Sequence, residues 1–191
     1  DDLVYKMKND LKCNIALFSM DENNPRIKEH AKANGLACVY ENGYVTIMKG
    51  TWKIRVLPAR DIPLTYEGKA IHNINNCLPA VLSTYLFRDI TIEDIRTGLQ
   101  TFIPSESLTP GRLNFFNFKH FTILADFAHN PHGLQLLCDF VEKLDYPSKV
   151  GVISGTGDRR DEDIRELGAI SARHFDEIII RQDKNTRGRP A

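Results

Sequence analysis

The chain has 191 residues, of which 42% are hydrophobic and 26% are charged, so its composition is that of a globular protein and excludes intrinsic disorder. Lys plus Arg and Asp plus Glu each total 25, and this zero net charge argues against nucleic-acid or anionic-membrane binding. No apolar run is long enough to span a bilayer, and no secretory signal opens the chain. We therefore expect a cytoplasmic protein without nucleic-acid or membrane partners, whose four widely spaced cysteines are reduced.

Residues 1 to about 70 alternate short β-rich runs with glycine-containing turns, which predicts a small antiparallel meander. The β-rich runs are 14–18, 36–40, 44–48 and 51–56. A brief helix is expected over residues 26–33, between the first two of these runs.

Two amphipathic helices are predicted next. Apolar residues recur at helical spacing over 74–87, directly after His72-Asn73. Thr91 is a suitable N-cap with Asp94 three residues later, so a second helix is expected over 92–102. This second helix is expected to bury Ile95, Leu99 and Phe102.

A segment rich in Ser, Thr and Pro, residues 104–111, follows and predicts a domain boundary. Beyond it, an initial hairpin is followed by alternating helices and strands, so a parallel sheet with right-handed crossovers is expected. The strands are predicted at 112–118, 121–127, 150–154 and 177–181, and the helices at 131–144 and 164–175. The fold class is therefore α/β, with a Rossmann-like parallel sheet that is truncated after its third parallel strand.

Polar side chains cluster where the predicted parallel strands end, which is the edge at which open α/β sheets bind ligands. Carboxylates there can accept from ribose hydroxyls, an imidazole can transfer protons, and guanidinium groups suit carboxylates and phosphates. These residues are Asp126, His129, Asp158, Arg159, Arg160, Asp183, Arg187 and Arg189. The alternative is a solvated charged rim with helix caps. Gly155-Thr156-Gly157 is not a phosphate loop, because it lacks G-x-x-x-x-G-K-[ST].

Four motifs, in this order, resemble those of the Mur ligase superfamily, which includes the folylpolyglutamate synthases. They are His72-Asn73-Ile74-Asn75-Asn76, Pro110-Gly111-Arg112, Asp126-Phe127-Ala128-His129-Asn130-Pro131 and Gly157-Asp158-Arg159. The resemblance implies that residues 1–103 are the C-terminal part of the central ATPase domain, with its small meander and two helices. Residues 104–191 are then the C-terminal Rossmann-like domain. Phe127 stands where the superfamily usually has tyrosine.

The resemblance also implies an activity: an ATP-dependent carbon–nitrogen ligase that phosphorylates a carboxylate and transfers the acyl group to an amine, with ATP and Mg²⁺. The strings 111–116, 157–163 and 185–189 are most similar to members that add arginine to a poly-aspartate backbone. Alternatives are a peptidoglycan or folate ligase of the same superfamily and a noncatalytic Rossmann-like binding module. Assembly into a homo-oligomer is left open.

Residue roles follow from the resemblance alone. Asn73 and Asn76 would form the adenine pocket, Arg112 would reach the nucleotide phosphates or ribose, Asp126 would bind the ribose hydroxyls, and His129 would lie near the phosphates and the incoming amine. The substrate pocket would contain Asn130, Asp158, Arg159, Arg160, Arg187 and Arg189. The superfamily's phosphate-binding loop, magnesium-binding Glu and carbamylated Lys belong upstream of residue 1. No metal ligand is therefore assigned here, and the chain alone is predicted to be inactive.

Overall fold

The computed structural model describes residues 2–155 and 157–182. The chain divides into two compact units, Asp1–Ile103 and Pro104–Ala191. The assignment of these units to an ATPase domain and a Rossmann-like domain stays a prediction. Within the described residues no helix combines the length and apolar character needed to cross a bilayer.

The first unit contains four helices and four strands, with short 3-10 turns at Met7–Asn9, Ala59–Asp61 and Pro63–Thr65. The helices are α1 (Asp2–Lys6), α2 (Pro25–Lys32), α3 (Ile71–Tyr85) and α4 (Ile92–Thr101). The strands are β1 (Ala16–Ser19), β2 (Leu36–Glu41), β3 (Tyr44–Lys49) and β4 (Trp52–Pro58).

The sheet of this unit is mixed, which corrects the predicted antiparallel meander. Strands β2, β3 and β4 pair antiparallel as expected. The first apolar run instead pairs in parallel with β2, because α2 carries the chain back across the sheet between β1 and β2. Asn42 and Gly43 both have positive φ, 50° and 84°, in the turn from β2 to β3. This is the conformation that Asn-Gly favours in two-residue hairpin turns.

Helix α3 covers one face of the sheet. Its side chains Cys77, Leu78, Val81 and Leu82 are buried in one cluster with residues of β2, β3 and β4. The helix begins at Ile71 rather than at residue 74, so His72 and Asn73 lie inside its first turn. Helix α4 has the predicted capping box between Thr91 and Asp94. Phe102 is 39% exposed because α4 ends at Thr101, so the prediction that it is buried is wrong.

The carboxylate of Glu41, at the end of β2, gives the first unit a pH-dependent stability. Glu41 is only 5% exposed and forms an ion pair with Lys53 of β4. The hydrogen bond from Lys53 lowers the pKa of Glu41, although burial opposes this. Because the pKa is lower in the folded than in the unfolded state, the stabilisation is complete above about pH 4.3 and is lost as pH falls through the lowered pKa.

We therefore expect Glu41→Gln to lower the free energy of unfolding near neutral pH, with a difference from wild type that shrinks as the solution is acidified. Urea unfolding followed by the fluorescence of Trp52, the single tryptophan, measures this for the first unit. Glu29→Gln, an exposed glutamate of α2, is the matched control. A difference that stays constant from neutral to acidic pH would rule out the Lys53 contact as the cause.

Over its described residues, the second unit contains four strands and two helices. They are β5 (Asn114–Asn117), β6 (Thr122–Ala125), α5 (Pro131–Val141), β7 (Val150–Ile153), α6 (Asp161–His174) and β8 (Glu177–Ile180). Strands β5 and β6 form the predicted hairpin, and β7 pairs in parallel with β8. Leu134 and Cys138 of α5 pack with Leu167 and Ile170 of α6 in the core of this unit.

The expected three-stranded parallel sheet is only partly present. Among the described residues, β6 is paired with β5 alone, so the unit has two separate two-stranded ladders. Each of these strands has only four residues and so offers few ladder hydrogen bonds, while the core of the unit lies between α5 and α6. The α/β class is nevertheless the one predicted.

Candidate functional site at the carboxyl end of strand β6

Asp126 lies directly after β6, at the strand end where the sequence places it. Its carboxylate accepts two backbone hydrogen bonds: Oδ1 from the Ala128 N–H at 2.8 Å and Oδ2 from the Leu113 N–H at 3.0 Å. Leu113 belongs to the loop before β5, so the carboxylate joins that loop to the segment after β6. Asp126 is thus a structural anchor as well as a candidate ligand-binding residue.

The loop that carries Arg112 has an unusual backbone conformation. Gly111 and Leu113 on either side of Arg112 have φ of 67° and 47°, in the left-handed region. Glycine adopts this region freely, whereas leucine does so only at a cost. The two left-handed residues explain why β5 begins at Asn114 and not at Arg112, as the sequence predicted.

The buried side chain of Asn114 fixes this loop by hydrogen bonds to its backbone. It is 5% exposed, and its Oδ1 accepts from the Gly111 N–H at 2.6 Å. Its Nδ2 donates to the Thr109 carbonyl at 3.0 Å and to the Arg112 carbonyl at 3.3 Å. One buried side chain therefore satisfies backbone groups on both sides of the Gly111 turn. The motifs do not point to Asn114; its only signal is a polar side chain between the apolar Leu113 and Phe115.

Three planar side chains stand in a row at this strand end. The guanidinium carbon of Arg112 lies 5.3 Å from the centroid of the Phe127 ring, which is a cation–π distance. The Phe127 and His129 rings are 5.2 Å apart between centroids, with an interplanar angle of 56°. Phe127 is 61% exposed. The row brings together Arg112 and His129, which lie 17 residues apart in sequence.

The hydrogen bond made by His129 indicates which ring nitrogen carries the proton. Nδ1 lies 2.9 Å from the Phe127 carbonyl oxygen. Since a carbonyl oxygen only accepts, Nδ1 is the donor, and in the neutral ring the lone pair is on Nε2. His129 is therefore oriented by its neighbour's backbone so that Nε2 can act as a base.

Asn130 caps helix α5. Its Oδ1 accepts from the Gly133 N–H at 2.7 Å, and Pro131 occupies the first helical position as predicted. The cap of this helix is thus Asn130 and not His129, which leaves the imidazole available for another role. A substrate contact by Asn130 stays a prediction.

The loop before α6 contains the second group of predicted site residues. The Arg160 guanidinium donates to both carboxylate oxygens of Asp163, at 3.0 and 2.8 Å. This hydrogen bond lowers the pKa of Asp163 and raises that of Arg160. Arg160, which precedes α6, is therefore paired with Asp163 in the first turn of that helix. Asp158 and Arg159 precede it in the same loop, with Asp158 exposed and Arg159 half-buried. Arg187 and Arg189, like Asp183, lie outside the described residues.

The two predicted adenine residues lie in the first unit, on α3. Asn73 is half-buried, and its Nδ2 donates to the Leu64 carbonyl at 2.8 Å, which fixes the first turn of the helix to the 3-10 turn before it. Asn76 is exposed and lies three residues further along, on the same face of the helix. Their contact with a nucleotide stays a prediction.

The described residues include side chains suited to binding a nucleotide, but they include no cluster suited to holding the magnesium ion that accompanies ATP. Arg112 offers a planar guanidinium for phosphate oxygens beside Asp126, which can accept further hydrogen bonds from hydroxyls. Within residues 2–155 and 157–182 there is no cluster of three or more His, Cys, Asp or Glu side chains able to hold a metal ion. No magnesium ligand is therefore assigned in this part of the chain.

Comparison with known proteins places the C-terminal part of the chain beside one class of enzyme. Residues 111–191 match the family described as Mur ligase, glutamate ligase domain. The chain has the fold of MurF from Acinetobacter baumannii, with a TM-score of 0.53 and 20% identity over 86% of this chain and 38% of that one. It is also similar to folylpolyglutamate synthase from Thermotoga maritima, with a TM-score of 0.52 and 16% identity over 99% of this chain and 52% of that one. The predicted fold class and the resemblance to the Mur ligase superfamily are confirmed.

One kind of ligase in this class is similar at the level of sequence. The chain is 45% identical to the cyanophycin synthetase of Geminocystis herdmanii over 189 residues, which is 99% of this chain and 21% of that protein. The chain spans about a fifth of the length of the curated cyanophycin synthetases that it matches. Its relatives are thus ligases, as the motifs predicted.

Proposed function

We propose that this chain is part of a cyanophycin synthetase that uses ATP to join arginine, through its α-amine, to the side-chain carboxylates of a poly-aspartate backbone. The observation that most supports this is the 45% identity with a cyanophycin synthetase over 99% of the chain. The row of Arg112, Phe127 and His129 at the end of β6 gives the proposal a physical site.

The reaction has two steps. A carboxylate oxygen of the polymer attacks the γ-phosphorus of ATP, the bond to the β–γ bridging oxygen breaks, and ADP leaves. The arginine amine then attacks the acyl carbon, phosphate leaves, and the amine loses a proton. Positioning of the reactants and neutralisation of charge supply most of the rate enhancement in such phosphoryl and acyl transfers.

Each residue of the strand-end site has a task in this scheme. The Arg112 guanidinium donates to phosphate oxygens, and Asp126 accepts from the ribose hydroxyls while its backbone contacts hold the two loops together. His129, with its proton on Nδ1, accepts the amine proton at Nε2. Asn73 and Asn76 contact the adenine. Asn130, Asp158, Arg159, Arg160, Arg187 and Arg189 line the pocket for arginine and the backbone carboxylate. When bound, Mg²⁺ would supply neutralisation of phosphate charge, and no ligand for it is assigned among the described residues.

A substrate comparison with the full-length protein tests this proposal. The full-length protein is incubated with ATP, Mg²⁺ and either arginine plus a poly-aspartate primer, a muropeptide precursor plus its amino acid, or a folate plus glutamate. We expect ADP only in the first mixture, together with incorporation of arginine into the polymer. ADP formation in either of the other mixtures would favour the peptidoglycan or folate alternative.

The isolated chain is predicted to have no ligase activity. Its sequence contains no G-x-x-x-x-G-K-[ST], so it lacks a loop of the kind that cradles ATP phosphates. The chain is mixed with ATP, Mg²⁺, arginine and primer, and ADP is measured beside a full-length sample at the same concentration. Turnover by the isolated chain would refute this prediction.

A further inference from the structure

The geometry points to Asn114 as a positioning residue for Arg112 in the nucleotide site. This inference rests on the proposed function, because it concerns the residue to which that function assigns the phosphates. Asn114 touches no reacting group; it acts by fixing the loop on which Arg112 is carried.

The hydrogen bonds of Asn114 define the loop on both sides of Arg112. Its Oδ1 accepts from the Gly111 N–H, and its Nδ2 donates to the carbonyl of Arg112 itself at 3.3 Å and to that of Thr109 at 3.0 Å. Because Asn114 is only 5% exposed, water cannot readily replace these partners. A neutral amide is required, since the side chain must accept at one end and donate at the other.

The backbone around Arg112 needs such support. Leu113 has φ of 47°, a conformation that leucine adopts only where the surrounding structure holds it. Asp126 holds it from the other side by accepting from the Leu113 N–H. With the loop fixed by Asn114 and Asp126, the guanidinium of Arg112 stands over the Phe127 ring. Losing either anchor releases the loop, and Arg112 then spends less time in the binding orientation.

The test compares Asn114→Asp with Arg112→Ala, alone and combined, in the full-length protein. Asn114→Asp keeps the size of the side chain but replaces the Nδ2 donor with an oxygen that faces the carbonyls of Thr109 and Arg112. Asn117→Asp, on the same strand but exposed, is the matched control. We expect Asn114→Asp to raise the KM for ATP about tenfold with little change in kcat, as the loss of hydrogen bonds of this kind predicts. Asn117→Asp should leave both constants unchanged.

The double variant distinguishes positioning from a general structural role. If Asn114 acts through Arg112, the combined variant has about the same KM for ATP as Arg112→Ala alone, because residues that act as one unit are not additive. If the two effects multiply, the inference is wrong. It is also wrong if Asn114→Asp is folded and leaves the KM unchanged while Arg112→Ala raises it.

Two further results complete the design. If Arg112→Ala does not change the KM for ATP, the nucleotide role of Arg112 in the proposed function fails, which is a different failure from that of Asn114. If Asn114→Asp does not fold, Asn114→Ser replaces it, since the shorter hydroxyl can still accept from Gly111. The same rise in KM and the same non-additivity with Arg112→Ala are then required, and their absence overturns the inference.

Discussion

Replacing Asp126 with alanine in the full-length protein should lower kcat/KM for ATP by about 100-fold or more, the largest effect we expect in this chain. The carboxylate accepts from the N–H groups of Leu113 and Ala128, and under the proposed function it also accepts from the ribose. Alanine removes all of these contacts together. Two backbone donors lose a charged acceptor, and the left-handed Leu113 loses the contact that holds it.

Steady-state kinetics with varied ATP measure this effect, and circular dichroism shows whether the variant is folded. Asp145→Ala removes an exposed carboxylate from the same unit and should behave as wild type. A folded Asp126→Ala protein with unchanged ATP turnover would support the alternative of a noncatalytic Rossmann-like binding module.

Arg112→Ala is expected to have the second-largest effect, a rise of about tenfold to 100-fold in the KM for ATP, because under the proposed function it removes a charged hydrogen bond to phosphate. Arg112→Lys should recover only part of the affinity. A lysine keeps the charge, but it lacks the planar guanidinium that lies over the Phe127 ring and that can donate to two oxygens at once.

The matched control is Arg165→Ala, which removes an exposed arginine from α6 without touching the strand end. Nucleotide binding measured by calorimetry, in the absence of the other substrates, separates binding from turnover. Full recovery by Arg112→Lys would show that the charge alone matters and that the planar guanidinium over the Phe127 ring does not.

Local sequence patterns predicted most individual elements but not how they pair. The capping box at Thr91 and the start of α5 at Pro131 involve residues within one turn, so the sequence alone reveals them. The parallel pairing of β1 with β2 depends on where α2 returns the chain, and the absence of a ladder from β6 to β7 in the described part of the chain depends on packing between α5 and α6. Neither feature of strand pairing produces a periodic pattern of apolar residues in the sequence.

The sequence predicts which residues belong to the candidate site, but it does not predict the contacts between them. The motifs indicated Arg112, Asp126 and His129 individually. The contact of Asp126 with the Leu113 amide and that of Phe127 with Arg112 join segments more than ten residues apart, so they depend on the tertiary position of the left-handed loop at 111–113. Asn114 was missed because its role consists of backbone contacts, which no side-chain motif encodes.

If the full-length protein forms an amide through an acyl phosphate, one oxygen of the substrate's carboxylate must leave with the phosphate, and following that oxygen tests the proposed chemistry most directly. A poly-aspartate primer whose side-chain carboxylates carry a heavy-oxygen isotope is incubated with the full-length protein, ATP, Mg²⁺ and arginine, and the released phosphate is examined by mass spectrometry. We predict one labelled phosphate and one ADP for each arginine incorporated. Unlabelled phosphate, or AMP and pyrophosphate in place of ADP, would contradict the proposed chemistry.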